Sequence, residues 1–379
     1  MNRLPDPDLD QLIEWAIELQ QIPAPTFHEN QRASHLKNCF EELGINHVEI
    51  DHTGNVICRI PGGKADPLLV TAHLDTVHSS EQSLQISRTP FSITGAGIGD
   101  NSLGLAAMLA LAQSVLASQT VPDGDIWFAG TVGEEGLGNL KGIKALTTRF
   151  TEPPHCTFVL EGIGLGNIQQ KALGVTRIRI SVETPGGHSW SDYGSPSAIN
   201  ILVNLAGSIN DIKLPVQPRT TINIGTICGG TAINTIASNA SMEIDLRSED
   251  AATLTTIAEY VRKKVDLVKQ EGVRIVVEEI GSRPSGTIPP EDPFLKFASG
   301  VSNHLGVPAR MIISSTDASQ LIHKGWPVLS IGLTTGEHVH TPKETIELLP
   351  LRIGMEFLFQ LVAGAWKVHR ESIINRNDH

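Results

Sequence analysis

The sequence has few cysteines, and no pair of them has the spacing of a thiolate metal site. Cys39, Cys58, Cys156 and Cys228 are scattered over 379 residues, and none belongs to a C-x-x-C pair. This distribution excludes a disulfide-rich scaffold and a zinc site built from cysteines. We expect the four thiols to be reduced and mostly buried as packing residues.

Basic clusters and long apolar runs are also lacking. The formal net charge is −12, and no block of Lys and Arg offers a surface for nucleic acid. The start of the chain carries charges throughout, unlike a secretory signal, and no later segment approaches the roughly 20 apolar residues of a membrane span. We therefore expect a soluble, cytoplasmic protein without a nucleic-acid or membrane partner.

The first part of the chain alternates between helical and strand patterns. HVEIDHTGNVICRI predicts a hairpin, and PLLVTAH, DIWFAGTV and CTFVLEG predict buried strands. Helices are predicted from about Ser102 to Ala117 and after Gly138. Such alternation favours an α/β fold with a mixed, mostly parallel sheet and helices on both faces.

The middle of the chain has a different order of elements. Its patterns predict β-α-β-β-α-β, the arrangement of a ferredoxin-like α+β sandwich. We expect residues 175–284 to form this inserted domain, and residues 1–174 with 285–379 to form the domain that binds metal. A terminal helix is predicted around residues 355–370.

Side chains that can bind metal follow the predicted strands at five places. They are His73 in VTAHLDTVH, Asp100 in GAGIGDNSLG, Glu135 in TVGEEGLGN, Glu161 in VLEGIG and His340 in GEHVHTPKE. Ligand sites of α/β sheets gather where the carboxyl ends of strands run into loops. Imidazole and carboxylate together suit zinc or a similar divalent ion, unlike the all-oxygen ligands of calcium.

Two aspartates have positions that suit a metal site with two ions. The two oxygens of one carboxylate can bind different ions about 3.5–4 Å apart, and Asp100 is the candidate for this bridging place. His73 and Asp75 are two residues apart on a strand, so their side chains share a side. The Asp75 carboxylate can then accept the hydrogen bond of the ring nitrogen that the metal leaves free.

The adjacent pair Glu134 and Glu135 follows a buried strand. Neighbouring side chains cannot both bind one ion in the same way, so Glu135 is expected to bind metal and Glu134 to face the water on that metal. A carboxylate there can take the proton of the water and pass it to a leaving nitrogen.

In this order, the motifs resemble the dinuclear-zinc M20 peptidases and deacylases. The family includes acetylornithine deacetylase, succinyl-diaminopimelate desuccinylase, aminoacylase-1, glutamate carboxypeptidase and peptidase T. The resemblance covers nearly the whole chain and implies a zinc exopeptidase-like fold with an inserted lid domain, through which a homodimer could form. It implies two divalent ions per subunit, zinc before cobalt or manganese.

The same resemblance implies a role for each matched residue. His73 and Glu161 would bind one ion, Glu135 and His340 the other, and Asp100 both. Glu134 would be the general base.

Finer features of the family pattern also match. The pattern favours His340 over His338 and implies a cis peptide bond between Asp100 and Asn101. Many relatives have a second acidic residue where this chain has Asn101, which leaves the local charge and the metal preference open. Glutamate at position 161 is frequent in acylase-like and carboxypeptidase-like members.

The inserted domain contributes further candidates by the resemblance. His188 in TPGGHSW would polarise the scissile carbonyl, from the same subunit or from its partner. Asn234, Arg247 and Arg283 would bind substrate, because a guanidinium makes two parallel bonds with a carboxylate. For each arginine, a structural ion pair is the alternative. The segment SSTDASQL also resembles the family, without an assigned role.

Three other functions are less consistent with these patterns. In GAGIGDNSLG, Asp100 stands where the third glycine of a dinucleotide-binding motif belongs. GHSWS lacks the closing glycine of a serine-hydrolase elbow. A non-catalytic member that binds peptides or a partner would be expected to lack the base, yet Glu134 is present. We expect a metal-dependent hydrolase of an amide bond in a small substrate with a free carboxylate, either an N-acyl amino acid or a short peptide.

Overall fold

The computed structural model describes residues 4–369. The chain divides into two compact units, one formed by Met1–Lys171 with Thr287–His379 and the other by Ala172–Gly286. We call them the main unit and the inserted unit. The inserted unit begins three residues before and ends two residues after the predicted range 175–284.

The described residues form nine α-helices and nineteen strands. The helices are α1 (Leu9–Gln20), α2 (Asn30–Glu42), α3 (Gly104–Ala117), α4 (Lys141–Leu146), α5 (Ala198–Asn210), α6 (Ala251–Leu267), α7 (Pro293–His304), α8 (Ala318–His323) and α9 (Leu351–Gly364). The strands are β1 (Glu49–Ile50), β2 (Val56–Ile60), β3 (Ala65–His73), β4 (Ser87–Arg88), β5 (Ser92–Thr94), β6 (Gly124–Thr131), β7 (Cys156–Ile163), β8 (Asn167–Ala172), β9 (Gly174–Glu183), β10 (Gly187–His188), β11 (Thr220–Gly229), β12 (Thr235–Ile236), β13 (Asn239–Ser248), β14 (Arg274–Arg283), β15 (Gly286–Thr287), β16 (Arg310–Ser314), β17 (Val328–Thr334), β18 (Gly336–Glu337) and β19 (Thr345–Glu347).

The larger sheet has nine strands in the order β1-β2-β6-β3-β7-β17-β8-β15, with β16 paired to β8. Its centre is parallel, because β3 pairs in parallel with β6 and β7, and β17 does so with β7. These strands are largely buried, which explains their continuous apolar runs. The predicted mixed, mostly parallel sheet is confirmed. Parallel neighbours end at the same edge, so the loops after these strands lie together.

Helix α3 is buried on all sides except near its end, where Leu116 and Ala117 are exposed. Its sequence, GLAAMLALAQSVLA, is rich in strong helix formers and is apolar around its whole circumference. With the π-helical turn before it, the segment Ile98–Ala117 is long and apolar enough to cross a membrane by length and composition, but most of it is buried inside the protein. It serves as a core helix of the main unit.

The inserted unit contains an antiparallel sheet in the order β11-β13-β9-β14. Alternate side chains of β9 and β13 are buried in one core with the apolar faces of α5 and α6. The four strands of this sheet and the two helices follow the order β9-α5-β11-β13-α6-β14, which is the predicted β-α-β-β-α-β succession, and the two-residue strands β10 and β12 form a separate pair. Every second side chain of β9 and β13 faces the core, which explains why apolar and polar residues alternate in their sequences.

Other predicted elements are found with shifted ends. The hairpin forms between β1 and β2, with Glu49 opposite Ile57. The terminal helix α9 begins at Leu351, before the predicted 355, and the last predicted residue lies outside the described residues. Three of the cysteines are buried, whereas Cys228 is exposed on β11.

Candidate metal centre

Three of the predicted ligands lie at the edge where the parallel strands end. His73 is the last residue of β3, Glu161 lies near the end of β7, and Glu135 follows β6. Strand β3 lies between the other two, with His73 paired to Thr131 of β6. The parallel register therefore brings the three side chains to one place.

Asp100 is presented by the π-helical turn Ile98–Leu103, and its backbone within that turn is not helical. The Asp100–Asn101 peptide bond is cis, as the family resemblance implied. The buried Asn101 amide donates to Leu160 O at 2.8 Å and accepts from Gly162 N at 3.1 Å, which joins the turn to β7. An ionised acid at this position could not donate the first bond. A Cβ atom on Gly162 would collide with Gly99 O, so glycine permits the close approach.

His340 comes from the loop between β18 and β19. Strand β19 pairs with β5, which leads into the Asp100 turn, so the two loops lie side by side. The backbone of His340 is left-handed, with φ of 66°, which is uncommon for a residue other than glycine and is found at constrained functional sites. His338 is exposed and lies 3.6 Å from Glu337 Oε1.

The two histidines contact different oxygens of Asp100. His73 Nε2 lies 2.9 Å from Asp100 Oδ1, and His340 Nε2 lies 3.0 Å from Asp100 Oδ2. His340 Nε2 also lies 3.1 Å from Glu135 Oε1, and His73 Nε2 lies 3.9 Å from Glu161 Oε2. Two groups of potential ligands result, His73–Asp100–Glu161 and Asp100–Glu135–His340, each with its ligand atoms within 4.8 Å of one another. Asp100 is the member that they share.

The charges of the centre favour a bound cation. Burial, together with nearby Asp100, Asp317 and Glu135, raises the pKa of Glu161 to about 8. Hydrogen bonds with Asp100 and then Glu135 raise the pKa of His340 to about 10. Burial alone would oppose ionisation of Asp100, but the hydrogen bonds from His340 and His73 outweigh it and lower its pKa. Carboxylates held this close need positive charge among them, and the nitrogen and oxygen donors suit a divalent transition metal.

Asp75 differs in one detail from the predicted contact. The ring nitrogen Nδ1 of His73 lies 3.0 Å from the backbone oxygen of Asp75 and 3.5 Å from its carboxylate. The closer acceptor is therefore the carbonyl, which would hold the Nδ1 proton and leave the Nε2 atom for a metal ion when one is bound. The Asp75 carboxylate instead accepts from the backbone of Glu134 and Glu135, each at 2.9 Å.

Glu134 lies within the centre. Its carboxylate belongs to a third group, His73–Glu134–Glu135, whose ligand atoms also lie within 4.8 Å of one another. The side chain is buried. The Asp75 carboxylate holds the backbone N–H groups of both glutamates and so fixes the turn that presents them.

Sequence patterns did not point to the α1–α2 connection and the first turn of α2, although residues there support these loops. The Thr26 hydroxyl donates to Asp75 Oδ2 at 2.9 Å, and Glu29 Oε1 accepts from Gly133 N at 3.1 Å. The fully buried Arg32 donates to Leu74 O at 2.9 Å. The letters FHENQR carry no signal for such a scaffold, because the burial of Glu29 and Arg32 is visible only in the structure.

Asp317, in SSTDASQL, also lies behind the centre. It is buried and accepts from Thr131 Oγ1 at 2.5 Å, at the end of β6. It contributes to the raised pKa of Glu161. The structure therefore locates this segment beside the centre, whereas the sequence pattern gave it no role.

Glu344 joins the two loops that carry Asp100 and His340. Its carboxylate is fully buried and accepts from the backbone N–H groups of Gly99 and Asp100, each at 2.7 Å. His340 N lies 3.4 Å from the other oxygen. Burial raises the pKa of Glu344 to about 7.

Replacement of Glu344 with alanine is expected to lower the free energy of unfolding by about 2–4 kcal/mol, because it leaves buried N–H groups without an acceptor. Urea unfolding of the metal-loaded protein measures the change. Glu344→Gln, which keeps an acceptor oxygen, should lose less, and Lys343→Ala on the exposed neighbour serves as the control. Equal stability of the alanine variant and the control would contradict this role.

The predicted catalytic residue His188 and the predicted substrate-binding residue Asn234 are neighbours in the inserted unit. His188 on β10 pairs with Thr235 on β12, and Ser189 N donates to Asn234 O at 3.1 Å. The Nδ1 atom of His188 accepts from Trp190 N at 3.1 Å. An Nδ1 that accepts a backbone N–H leaves the proton of the neutral ring on Nε2, so His188 presents an N–H donor.

The two predicted arginines lie on neighbouring strands. Arg247 on β13 and Arg283 on β14 both pair with Val175 of β9, from opposite sides. Arg247 Nε donates to Asp245 Oδ2 at 2.6 Å, and Arg177 Nε donates to the other oxygen at 3.1 Å. Burial and then nearby Arg283 lower the pKa of Arg177. Arg177 and Arg247 therefore share the Asp245 carboxylate, and a substrate-binding role of Arg247 stays a prediction.

Comparison with known proteins identifies the family. The sequence model described as Peptidase family M20/M25/M40 matches residues 69–364, which include all five predicted ligands. The chain belongs to this family.

Relatives and solved structures of this M20 chain agree with the assignment. It is 26% identical over 374 residues to the uncharacterised protein YqjE of Bacillus subtilis, covering 94% of this chain and 98% of that one. It is 25% identical over 357 residues to succinyl-diaminopimelate desuccinylase of Corynebacterium glutamicum, covering 91% and 95%. The crystal structure of a tripeptidase from Staphylococcus aureus is similar with a TM-score of 0.79 and 25% identity, covering 96% of this chain and 100% of that one.

Proposed function

We propose that this M20 family protein is a metal-dependent hydrolase of an amide bond in a small substrate with a free carboxylate, either an N-acyl amino acid or a short peptide. The observation that carries the proposal is the pair of ligand groups that share Asp100, with the Glu134 carboxylate beside them. Relatives named as a desuccinylase and a tripeptidase both cleave amide bonds, which supports the class of reaction.

The residues present fit two divalent ions. His73 and Glu161 would hold one ion, Glu135 and His340 the other, and Asp100 would bind both through its separate oxygens. Two such ions, zinc before cobalt or manganese, would polarise the scissile carbonyl and acidify the attacking water.

The proton transfers would fall to Glu134. Its carboxylate lies within 4.8 Å of ligand atoms of His73 and Glu135. Glu134 belongs to neither of the two ligand groups that contain Asp100, so its carboxylate is available to face the attacking water. It would take a proton from the water and deliver it to the leaving nitrogen. Asp75 would hold the backbone of Glu134 in place through the 2.9 Å hydrogen bond.

The inserted unit would supply contacts to the substrate. His188, with its proton on Nε2, would donate to the carbonyl oxygen as negative charge develops there. Asn234 is its neighbour across the β10–β12 pair. The carboxylate of the substrate would bind at Arg283 and Arg247, because a guanidinium can make two parallel bonds with a carboxylate.

Metal analysis and a substrate screen test the proposal together. We expect about two divalent ions per purified chain, loss of hydrolysis after chelation, and recovery with zinc, cobalt or manganese. The screen compares acetyl- and succinyl-amino acids with dipeptides and tripeptides, and at least one class should be hydrolysed. Two bound ions without hydrolysis of any class would support a non-catalytic binding protein instead.

A further inference from the structure

Four exposed apolar side chains lie on the loops that build the metal centre. Phe27 follows Thr26, Val77 is two residues after Asp75, Leu137 is two residues after Glu135, and Val339 precedes His340. Their exposed fractions are 56%, 43%, 43% and 39%, respectively. We call Phe27, Val77, Leu137 and Val339 the apolar rim.

Hydrogen bonds hold these four loops together. Thr26 Oγ1 lies 2.9 Å from Asp75 Oδ2 and 3.5 Å from Glu135 O, which joins the first three. The contact of 3.1 Å between His340 Nε2 and Glu135 Oε1 joins the fourth. The loops that carry the apolar rim are therefore the loops that carry the polar groups of the centre, although the members of the rim are far apart in sequence.

These four loops carry a large share of the exposed apolar side chains of the main unit. Among the described residues of the main unit, twelve large hydrophobic side chains are exposed, and a third of them belong to the apolar rim. Single exposed hydrophobic residues are ordinary, whereas contiguous ones mark binding surfaces. Ligand sites combine an apolar lining with a few polar groups that orient the ligand.

Phe27 adds a second, independent observation. Its φ angle is 76°, in the left-handed region that is unfavourable for a bulky residue and natural for glycine. Hydrogen bonds to the buried Glu29 stabilise this conformation. Phe27 N donates to Glu29 Oε1 at 3.0 Å, and the same oxygen accepts from Gly133 N. Glycine would relieve the backbone strain, and the ring fills no core because it is exposed. The exposed aromatic side chain is therefore the only feature that favours phenylalanine over glycine at this position.

We propose that the apolar rim, with Phe27 as its main contact, binds an aliphatic or aromatic side chain of the substrate beside the scissile amide. This inference rests on the proposed hydrolase and deepens it, because it names the class of substrate. We assign the rim to a substrate side chain because each of its members lies within two residues of Thr26, Asp75, Glu135 or His340. These four residues are metal ligands or make hydrogen bonds that support them. The inserted unit has a comparable feature, because the exposed Trp190, Tyr193 and Ile233 lie close in sequence to His188 and Asn234.

The test compares two variants at Phe27 with a matched control on the full metal-loaded chain. Phe27→Gly removes the ring without adding strain, Phe27→Leu keeps an apolar side chain, and Phe91→Ala removes another exposed phenylalanine from the turn between β4 and β5. The kcat and KM values are measured on N-acetyl amino acids and dipeptides that differ only in Leu, Phe or Ser. Thermal unfolding is expected to show no loss of stability for Phe27→Gly.

We expect the unmodified protein to prefer Leu or Phe over Ser substrates by about 10-fold or more in kcat/KM. Phe27→Gly should reduce that ratio several-fold, mainly through a higher KM for the apolar substrates, while values for Ser substrates stay the same. Phe27→Leu and Phe91→Ala should keep the preference. An unchanged ratio in Phe27→Gly, or an equal loss for all substrates, would overturn the proposal.

A binding measurement separates this inference from the proposed function. Calorimetric titration of Glu134→Ala, with and without Phe27→Gly, uses N-acetyl-leucine and N-acetyl-serine as probes and needs no turnover. If the unmodified protein hydrolyses nothing, the proposed function fails, while a leucine preference that Phe27→Gly removes would still support the apolar rim. Equal binding of the two probes would overturn it. Dissociation of a dimer by Phe27→Gly in sedimentation would also overturn it and assign the rim to a contact between chains.

Discussion

Replacement of Glu134 with alanine is expected to lower kcat by about 10²- to 10⁴-fold while the protein keeps its metal ions. The carboxylate lies within 4.8 Å of ligand atoms of His73 and Glu135, but it belongs to neither group that shares Asp100. The variant should therefore lose the base that moves the proton from water to the leaving nitrogen. It should not lose the groups that hold the cations.

Steady-state kinetics with metal analysis of the same sample measures this result. Glu134→Gln keeps the size and hydrogen-bonding capacity of the side chain without its basicity, and it should be impaired nearly as much. Glu81→Ala, on an exposed loop, is the control for loss of a glutamate. Turnover close to that of the unmodified protein in Glu134→Gln would show that another group is the base.

The second large effect is expected at Asp100. Because Asp100 belongs to both ligand groups, Asp100→Ala should weaken the binding of both ions, whereas His340→Ala should mainly weaken one. Replacing a group that only supports a ligand typically lowers metal affinity about 10- to 100-fold, so the loss of a shared ligand should exceed that range. Hydrolysis should fall to the background level in Asp100→Ala.

Titration of the metal-free variants with zinc distinguishes Asp100→Ala from His340→Ala. The titration is monitored by calorimetry, and elemental analysis counts the bound ions. We expect about two ions in the unmodified protein, one tightly bound ion in His340→Ala and none in Asp100→Ala. His338→Ala is the matched control, because His338 is exposed in the same loop and belongs to none of the three ligand groups. Two tightly bound ions in Asp100→Ala would refute the bridging position.

The loops of the candidate site were accessible to prediction because their ligands follow strands. His73, Glu135 and Glu161 come at or after short apolar runs that predict buried strands, and parallel strands end at one edge. Asp100 and His340 have weaker local signals, and the order of the family motifs singled them out. The cis bond after Asp100 was likewise implied by resemblance alone.

The support of the site was not accessible in the same way. Thr26, Glu29 and Arg32 contact Asp75, Gly133 and Leu74, which are between 42 and 104 positions away in sequence. No periodicity encodes such a pair, because each contact depends on how separate loops pack. The acceptor of the His73 ring proton shows the same limit, since a spacing of two allowed both the carboxylate and the carbonyl of Asp75.

The sequence by itself determined the class of fold, the inserted β-α-β-β-α-β unit and the types of side chain at the strand ends. These follow from hydrophobic periodicity and from ligand chemistry, which are local properties of the chain. Only the tertiary structure decided that Asp100 lies between two histidines and that Glu344 joins the loops of Asp100 and His340. It also decided that Phe27 is held in a left-handed conformation on a loop of the same centre. Distances between groups far apart in sequence are set by packing, and no local pattern contains them.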